Sequence, residues 1–141
     1  MNCPRCGAPL TSATLGTLSY DRCTGCGGGL VALRHLDAAL AALPPADLPD
    51  NPDLAMTPVP DVPGPVACPL CERRMSRGSY LEQNLVHIDR CTSCLLVFWD
   101  AGELEAMAEQ RARSDRQRSA RKATSEAVRL QMKWLVSGAT V

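Results

Sequence analysis

The chain has 141 residues, with fifteen basic and fifteen acidic side chains and therefore no formal net charge at neutral pH. Only five residues are aromatic, which argues against one large hydrophobic core. No stretch approaches the roughly 20 apolar residues of a membrane span, and the N-terminal segment has no signal-peptide pattern, so we expect a soluble cytoplasmic protein.

All eight cysteines occur in Cys-x-x-Cys pairs, and the pairs form two groups of four. Sixteen residues separate the two pairs of the first group, and nineteen separate those of the second. In a reducing compartment this arrangement is typical of metal ligation rather than of disulfides. The predicted ligands are Cys3, Cys6, Cys23, Cys26, Cys68, Cys71, Cys91 and Cys94.

Four thiolates at the corners of a tetrahedron are the usual ligands of structural zinc, so the spacing predicts two Zn²⁺ ions, one per group. Iron in a rubredoxin-like site is the closest rival, and the shortage of aromatic residues to shield it argues against iron. Four cysteine ligands leave no open position for water or substrate. We therefore expect structural sites that each contribute on the order of 10 kcal/mol to folding.

The chain contains an internal duplication. The hexamer "DRCTGC" at residues 21–26 returns as "DRCTSC" at residues 89–94, and Leu36 aligns with Leu104 when the two hexamers are superposed. Between its two cysteine pairs each unit reads as a β-hairpin, with a turn near Glu82–Asn84 in the second. Two repeats are too few for a solenoid, so we expect each unit to be stabilised largely on its own.

A helix is predicted after each second cysteine pair. In the first unit, leucines at 33, 36, 40 and 43 recur at helical spacing until Pro44 ends the pattern. In the second, Asp100 and Glu103 have the spacing of a capping box, and no proline or glycine then occurs between residues 103 and 137. The pattern predicts a small metal-stabilised α+β fold: two zinc ribbons, each a hairpin with two cysteine knuckles and a following helix, and a long C-terminal helix.

Five segments follow from this pattern. Residues 1–43 form the first ribbon with its short helix, and residues 66–100 form the second ribbon. Residues 44–65 contain eight prolines and four aspartates, which predicts a semi-rigid linker. Residues 101–136 form the long helix, and residues 137–141 form a flexible tail.

The long helix is basic. Residues 111–133 carry eight cations against two carboxylates, and the cations are the predicted contacts to a partner or to nucleic acid: Arg111, Arg113, Arg116, Arg118, Arg121, Lys122, Arg129 and Lys133. The alternative is that these cations form a solvated face of the helix that contacts no partner. A second pattern favours pairing with another helix, in a homo-oligomer or on a partner protein, because small and apolar residues recur at spacings of 3, 4, 3 and 4: Ala120, Ala123, Ala127, Leu130 and Trp134.

The second unit resembles the transcription factor IIB-type zinc-ribbon family of bacterial proteins. The matching residues are Cys68, Pro69 and Cys71, then Asp89, Arg90, Cys91 and Cys94, then Phe98, Trp99, Asp100, Gly102, Glu103 and Leu104. The first unit resembles the family less closely: Gly27 and Gly28 stand at the family's Gly-Gly, but "GLVALRHL" replaces the later motif, while the second unit has "LL" where Gly-Gly belongs. The resemblance implies fold and metal; it does not define a function.

No Ser-His-Asp set, carboxylate pair, phosphate-binding loop or HExxH motif is present in the sequence, so we expect no enzyme. The first hypothesis is a non-catalytic, zinc-binding adaptor with a protein partner, in transcription or another nucleic-acid process. The second is direct nucleic-acid binding through the basic helix. The third is a redox or metal-handling protein.

Overall fold

The computed structural model describes residues 1–44, 64–81 and 86–137. In the first unit it contains strands β1 (Leu10–Leu15), β2 (Leu18–Cys23) and β3 (Gly29–Ala32), a 3₁₀ turn (Leu33–His35) and helix α1 (Leu36–Ala42). In the second unit it contains β4 (Ser76–Ser79), β5 (His87–Cys91), β6 (Leu96–Trp99) and helix α2 (Glu103–Ser137). The predicted α+β class, with hairpins, a short helix and a long C-terminal helix, is confirmed.

The two units share one sheet. Its six strands are all antiparallel and follow the order β1-β2-β3-β6-β5-β4, so β3 of the first unit pairs with β6 of the second. The sequence predicted a hairpin in each unit, and the third strand of each unit is an addition to that prediction. Our expectation that each unit is stabilised largely on its own is wrong, because the central strand pair contains one strand from each unit.

The pairing of β3 with β6 gives the sheet an approximate two-fold axis. Leu30 lies opposite Phe98 in this pair. The same two positions also correspond to each other when the repeated hexamers are aligned. Each unit therefore uses the same strand to bind the other, which is the geometry of a symmetric dimer contained within one chain.

Each face of the sheet carries a core that draws on both units. One face packs beneath the two helices, with Val31 and Leu36 from the first unit beside Val97 and Leu104 from the second. The opposite face packs Leu30 and Phe98 among the cysteine knuckles of both units, with Val66 and Met75. The alternation of side chains along β3 and β6 sends neighbouring residues to opposite cores.

A glycine in β3 makes room for an aromatic ring of β6. Gly29 lies opposite Trp99, and a Cβ atom at position 29 would lie only 2.3 Å from the Trp99 ring. The ring of Trp99 is almost fully buried and stacks on Tyr20 with 5.8 Å between the ring centroids. The aromatic stack joins β2 of the first unit to β6 of the second.

The helices differ from their predicted bounds by a few residues. The leucine pattern from residue 33 begins as a 3₁₀ turn and becomes α-helical only at Leu36. Leu43 is extended, with ψ 148°, as the proline that follows it requires. Helix α2 begins at Glu103 rather than at residue 101 and includes Ser137.

At about 1.5 Å per residue, the 35 residues of α2 extend about 52 Å. Its first half packs on the sheet and on α1, whereas residues 118–136 are all exposed. Residues 45–63 of the predicted linker, the predicted turn at Glu82–Asn84 and residues 138–141 of the tail lie outside the described residues. The predicted segment bounds stay a prediction.

Candidate metal centres

The strand pairing brings the two knuckles of each unit together. In the first unit, Asn2 bridges to Pro9 and Leu10 pairs with Cys23, so the knuckle before β1 lies beside the knuckle after β2. In the second unit, Ala67 bridges to Arg74 and Ser76 pairs with Arg90, which repeats the arrangement. The structure thus brings all eight predicted ligands into two groups of four.

The distances between sulfur atoms suit a tetrahedral metal site. Within each group the four sulfur atoms all lie within 4.8 Å of one another. The Sγ atoms of Cys3 and Cys26 are 3.6 Å apart, and those of Cys6 and Cys23 are 3.3 Å apart. Zinc–sulfur bonds of about 2.3 Å would place tetrahedral sulfur atoms about 3.8 Å apart. A zinc ion fits between the sulfurs of each group with small side-chain adjustments.

Backbone amides point at the sulfur atoms in both groups. The N–H groups of Gly25 and Cys26 donate to Cys23 Sγ, each at 3.3 Å. In the second group the N–H of Cys94 donates to Cys91 Sγ at 3.3 Å. These hydrogen bonds stabilise the thiolate form, which is the form that binds metal.

One thiol in each group has a lowered pKa. Burial raises the pKa of Cys23, but the hydrogen bond from the Cys26 N–H and further hydrogen bonds outweigh it and lower the pKa to about 6. The hydrogen bond from the Cys94 N–H lowers the pKa of Cys91 to about 7. Burial raises the pKa of Cys3 to about 12. The two thiols with a lowered pKa, Cys23 and Cys91, hold the same position of the repeated hexamer.

The chemistry of these groups is that of structural zinc. All four ligands in each are cysteines, and one sulfur of each knuckle is buried: Cys3 and Cys23 in the first group, and Cys68 and Cys91 in the second. Cys6 is exposed, so the first site opens to solvent on one side. The donor set has no open coordination position. Zinc would hold the knuckles of each unit together, and the prediction of one zinc ion per group is confirmed.

A buried ionic cluster, which sequence reasoning missed, ties the first knuckle to the second unit. Arg5 lies between Cys3 and Cys6, and its Nε and Nη2 donate to the two carboxylate oxygens of Asp100, each at 2.9 Å. Its Nη2 also lies 3.2 Å from Oδ2 of Asp89, which is 1 % exposed. Arg5 occupies the variable position of a Cys-Pro-x-Cys knuckle, so the motif does not predict its role. Only its positive charge could have suggested that it pairs with a carboxylate.

The second unit contributes the remaining members of the cluster. Nε of Arg77 lies 3.5 Å from Asp89 Oδ1, and its Nη2 lies 3.4 Å from Asp100 Oδ2. Glu103 is 3 % exposed, and its Oε2 accepts a hydrogen bond from the backbone N–H of Asp100 at 2.8 Å. Half of the predicted capping box is therefore present, while the Asp100 carboxylate binds the two arginines.

Three carboxyl groups face two guanidinium groups in this cluster. Burial raises the pKa of Glu103 to about 7, and it raises the pKa of Asp89 despite the nearby arginines. A protonated Glu103 would balance the remaining charges of the cluster. The cluster connects the first metal site to the start of α2, which follows directly after β6.

The eight predicted cationic contacts are divided between two parts of α2. Two of them bind within the folded body: Arg111 pairs with Asp37 of α1 at 3.0 Å, and Arg113 pairs with Glu109 at 2.8 Å. The other six are exposed on the helix: Arg116, Arg118, Arg121, Lys122, Arg129 and Lys133. Whether any of the eight contacts a partner stays a prediction.

The comparisons with known proteins support the class of fold. Residues 2–42 match the family model described as the transcription factor zinc-finger, a zinc ribbon of the IIB type. The first unit is therefore similar to zinc ribbons of this type, although the sequence pattern had suggested that the second unit is nearer to the family. The cysteine group at residues 68–94 is consistent with a second zinc ribbon.

No curated protein and no solved structure matched the chain. Among the described residues, no helix is both long enough and apolar enough to span a membrane.

Proposed function

We propose that the protein is a non-catalytic adaptor that uses zinc for structure and binds a macromolecular partner through the exposed end of α2, in transcription or another nucleic-acid process. The observation that carries this proposal is the exposure of every residue from 118 to 136 in an otherwise packed helix. A helix that is exposed over so many turns gains little of the stability that tertiary packing usually supplies. Such a segment is typical of a binding element that completes its packing on another molecule.

The composition of that segment supports a macromolecular partner. Its apolar residues include Leu130, Met132, Trp134 and Leu135, which are between 55 and 78 % exposed. Apolar side chains at this density in solvent are typical of an interaction surface. The metal sites support a structural role because four cysteines fill each coordination sphere.

The test is affinity capture with the zinc-loaded chain as bait, after nuclease treatment and at about 0.5 M salt, with a bait that lacks residues 118–141 as the control. We expect a defined protein to bind the full chain, to be lost with the shortened chain, and to be lost after chelation of zinc. Reconstitution of the complex from purified components must reproduce it. Equal capture by both baits, or none, would contradict the adaptor proposal.

Direct nucleic-acid binding is the second candidate, and one observation favours it. At about 100° per residue, Arg118, Lys122 and Arg129 lie within about 40° of one another around the helix. All three are exposed and form a basic stripe along α2. A stripe of this kind can follow a phosphate backbone, and its affinity should fall steeply with salt.

Fluorescence anisotropy with a short DNA duplex at several salt concentrations tests the stripe. Replacing its three cations by glutamine should lower the slope of log affinity against log salt by about 2.7, if each contacts a phosphate. The matched control replaces three exposed arginines of the ribbons, and we expect it to leave the slope unchanged: Arg22, Arg34 and Arg74. A slope that the stripe variant does not change would exclude this mode of binding.

A further inference from the structure

The exposed end of α2 carries two patterns on different faces. Residues Ala120, Ala123, Ala127, Leu130 and Trp134 recur at heptad spacing and form one face, which we call the seam. The cations Arg118, Arg121, Lys122 and Arg129 lie about 120° or more from the centre of the seam, at about 100° per residue. The seam is therefore free of cations between residues 120 and 136.

We propose that the seam pairs with the seam of a second copy of this chain, with the two helices antiparallel. The pairing places residue 127 of one helix opposite residue 130 of the other. The contact then spans residues 120–137, which is about 27 Å of helix. This proposal does not rest on the adaptor function, because it concerns only the contact between two copies.

The order of side-chain sizes along the seam favours the antiparallel direction. The small residues come first and the large ones last, with alanine at 120, 123 and 127 and then Leu130 and Trp134. An antiparallel pair sets Ala127 against Leu130 and Ala123 against Trp134, so that each large side chain fills the space above a small one. A parallel pair would oppose Trp134 to itself and alanine to alanine, which crowds one end and leaves voids at the other.

The charges beside the seam favour the same arrangement. Glu126 and Lys133 are the charged residues at the positions that flank the seam between residues 119 and 136. In the antiparallel register Glu126 of each copy lies opposite Lys133 of the other, on the same side of the pair. In a parallel pair Glu126 would face Gln131 instead. The basic stripe points to solvent in both copies, so self-repulsion across the seam is small.

The dimer would place the two ribbon bodies at opposite ends of the paired helices. Each body ends near residue 117, about 17 Å along the helix from the centre of the contact. The two basic stripes would remain exposed on the outside of the pair. A dimer built this way would present two copies of every ribbon surface, so a partner with two binding sites would gain avidity.

Sedimentation equilibrium of the zinc-loaded full chain tests the contact. We expect a reversible dimer, and we expect Leu130→Gln to raise the dissociation constant at least about 30-fold, because two leucines leave the contact. The matched control is Met132→Gln, on the opposite face of the helix and 62 % exposed. It should change the dissociation constant by less than about threefold. Both positions are outside the packed core, so zinc content and helicity should stay unchanged.

A charge exchange tests the direction. Glu126→Lys and Lys133→Glu should each weaken the dimer, and the double variant should restore it, because the two residues face each other only in the antiparallel pair. A chain that remains monomeric at several hundred micromolar would overturn the proposal, as would equal effects of the leucine and methionine variants. A double variant weaker than either single variant would overturn the direction. Flotation of the monomer with phosphatidylserine vesicles, lost in Leu130→Gln, would show that lipid covers this face instead.

Discussion

Replacing Gly29 by alanine would place a methyl group against the indole ring of Trp99. The new Cβ would lie 2.3 Å from Cζ2 of the ring, whereas carbon atoms in contact are normally about 3.5–4.0 Å apart. The strands or the ring must therefore move by more than about 1 Å. Since Trp99 is buried and stacked on Tyr20, we expect overpacking to destabilise the fold by about 2–3 kcal/mol.

Urea unfolding of the zinc-loaded protein, followed by Trp fluorescence and circular dichroism, measures this cost. The matched control is Gly78→Ala in β4, where no atom lies within 4 Å of the added Cβ. We expect the control to change the free energy of unfolding by less than about 0.5 kcal/mol. Neither glycine has a positive φ, so a difference between the two variants reports packing rather than backbone strain.

The clash should disappear when the ring is removed. Trp99→Val alone leaves a cavity, but with Gly29→Ala in the same chain the added methyl occupies part of that space. The double-mutant cycle should give a coupling energy of about 2 kcal/mol in favour of the double variant. Additive effects, or a Gly29→Ala variant as stable as the wild type, would refute the shared sheet as the joint between the two ribbons.

Four further experiments test the ionic cluster, the backbone and the metal sites. Arg5→Met should destabilise the protein by about 3 kcal/mol, because it leaves two buried carboxylates with one arginine, and thermal unfolding would measure the loss. Burial raises the pKa of Glu103 to about 7, so its contribution to stability is present below about pH 4.5 and is lost as the pH rises through about 7. Glu103→Gln should therefore be more stable than the wild type at pH 8. Equal stability of the two proteins at pH 8 would contradict the argument that burial raises this pKa. Leu95 has a φ of 54°, so Leu95→Gly should stabilise the protein by about 0.5–1 kcal/mol, whereas Leu70→Gly, at another exposed leucine, should not. Chelation of zinc should unfold both ribbons, since each site contributes on the order of 10 kcal/mol, and retained β structure without metal would count against structural zinc.

The metal sites and the helix starts were predictable because they depend on local spacing. A Cys-x-x-Cys turn directs two sulfurs to one point whatever surrounds it, and the hairpin between two such turns closes the site. The spacing of Asp100 and Glu103 and the proline after Leu43 mark helix ends in the same local way. These features persist in the structure within a few residues of their predicted positions.

The joint between the two units was not predictable in this way. It depends on Gly29 and Trp99, which belong to different units, and neither residue shows from its own neighbours that it needs the other. The hydrogen bond that Arg5 donates to Asp100 joins positions that are 95 residues apart. Short strands such as β3 and β6 also have little sequence pattern of their own. Their four residues are buried on both faces of the sheet, so polar and apolar residues do not alternate along them.

The differences between the two units compensate each other across the shared strands. When the repeated hexamers are aligned, Gly29 corresponds to Val97 and Val31 corresponds to Trp99. The sheet pairs Val31 with Val97 in one layer and Gly29 with Trp99 in the other. The Val31–Val97 pair thus has two side chains of equal size, whereas the Gly29–Trp99 pair has one large side chain opposite a glycine, which has none.

The knuckles show a second kind of asymmetry. Gly7 and Gly27 of the first unit have φ of 76°, and the corresponding residues of the second unit, Glu72 and Leu95, are held at 60° and 54°. The second unit therefore keeps the backbone turn without the residue that adopts it easily. The first unit has glycines at its turns and at position 29, where the Trp99 ring leaves no room for a side chain. The second unit provides the Trp99 ring. Two copies of either unit would lack one of these features, so the two ribbons fit each other better than either would fit a copy of itself.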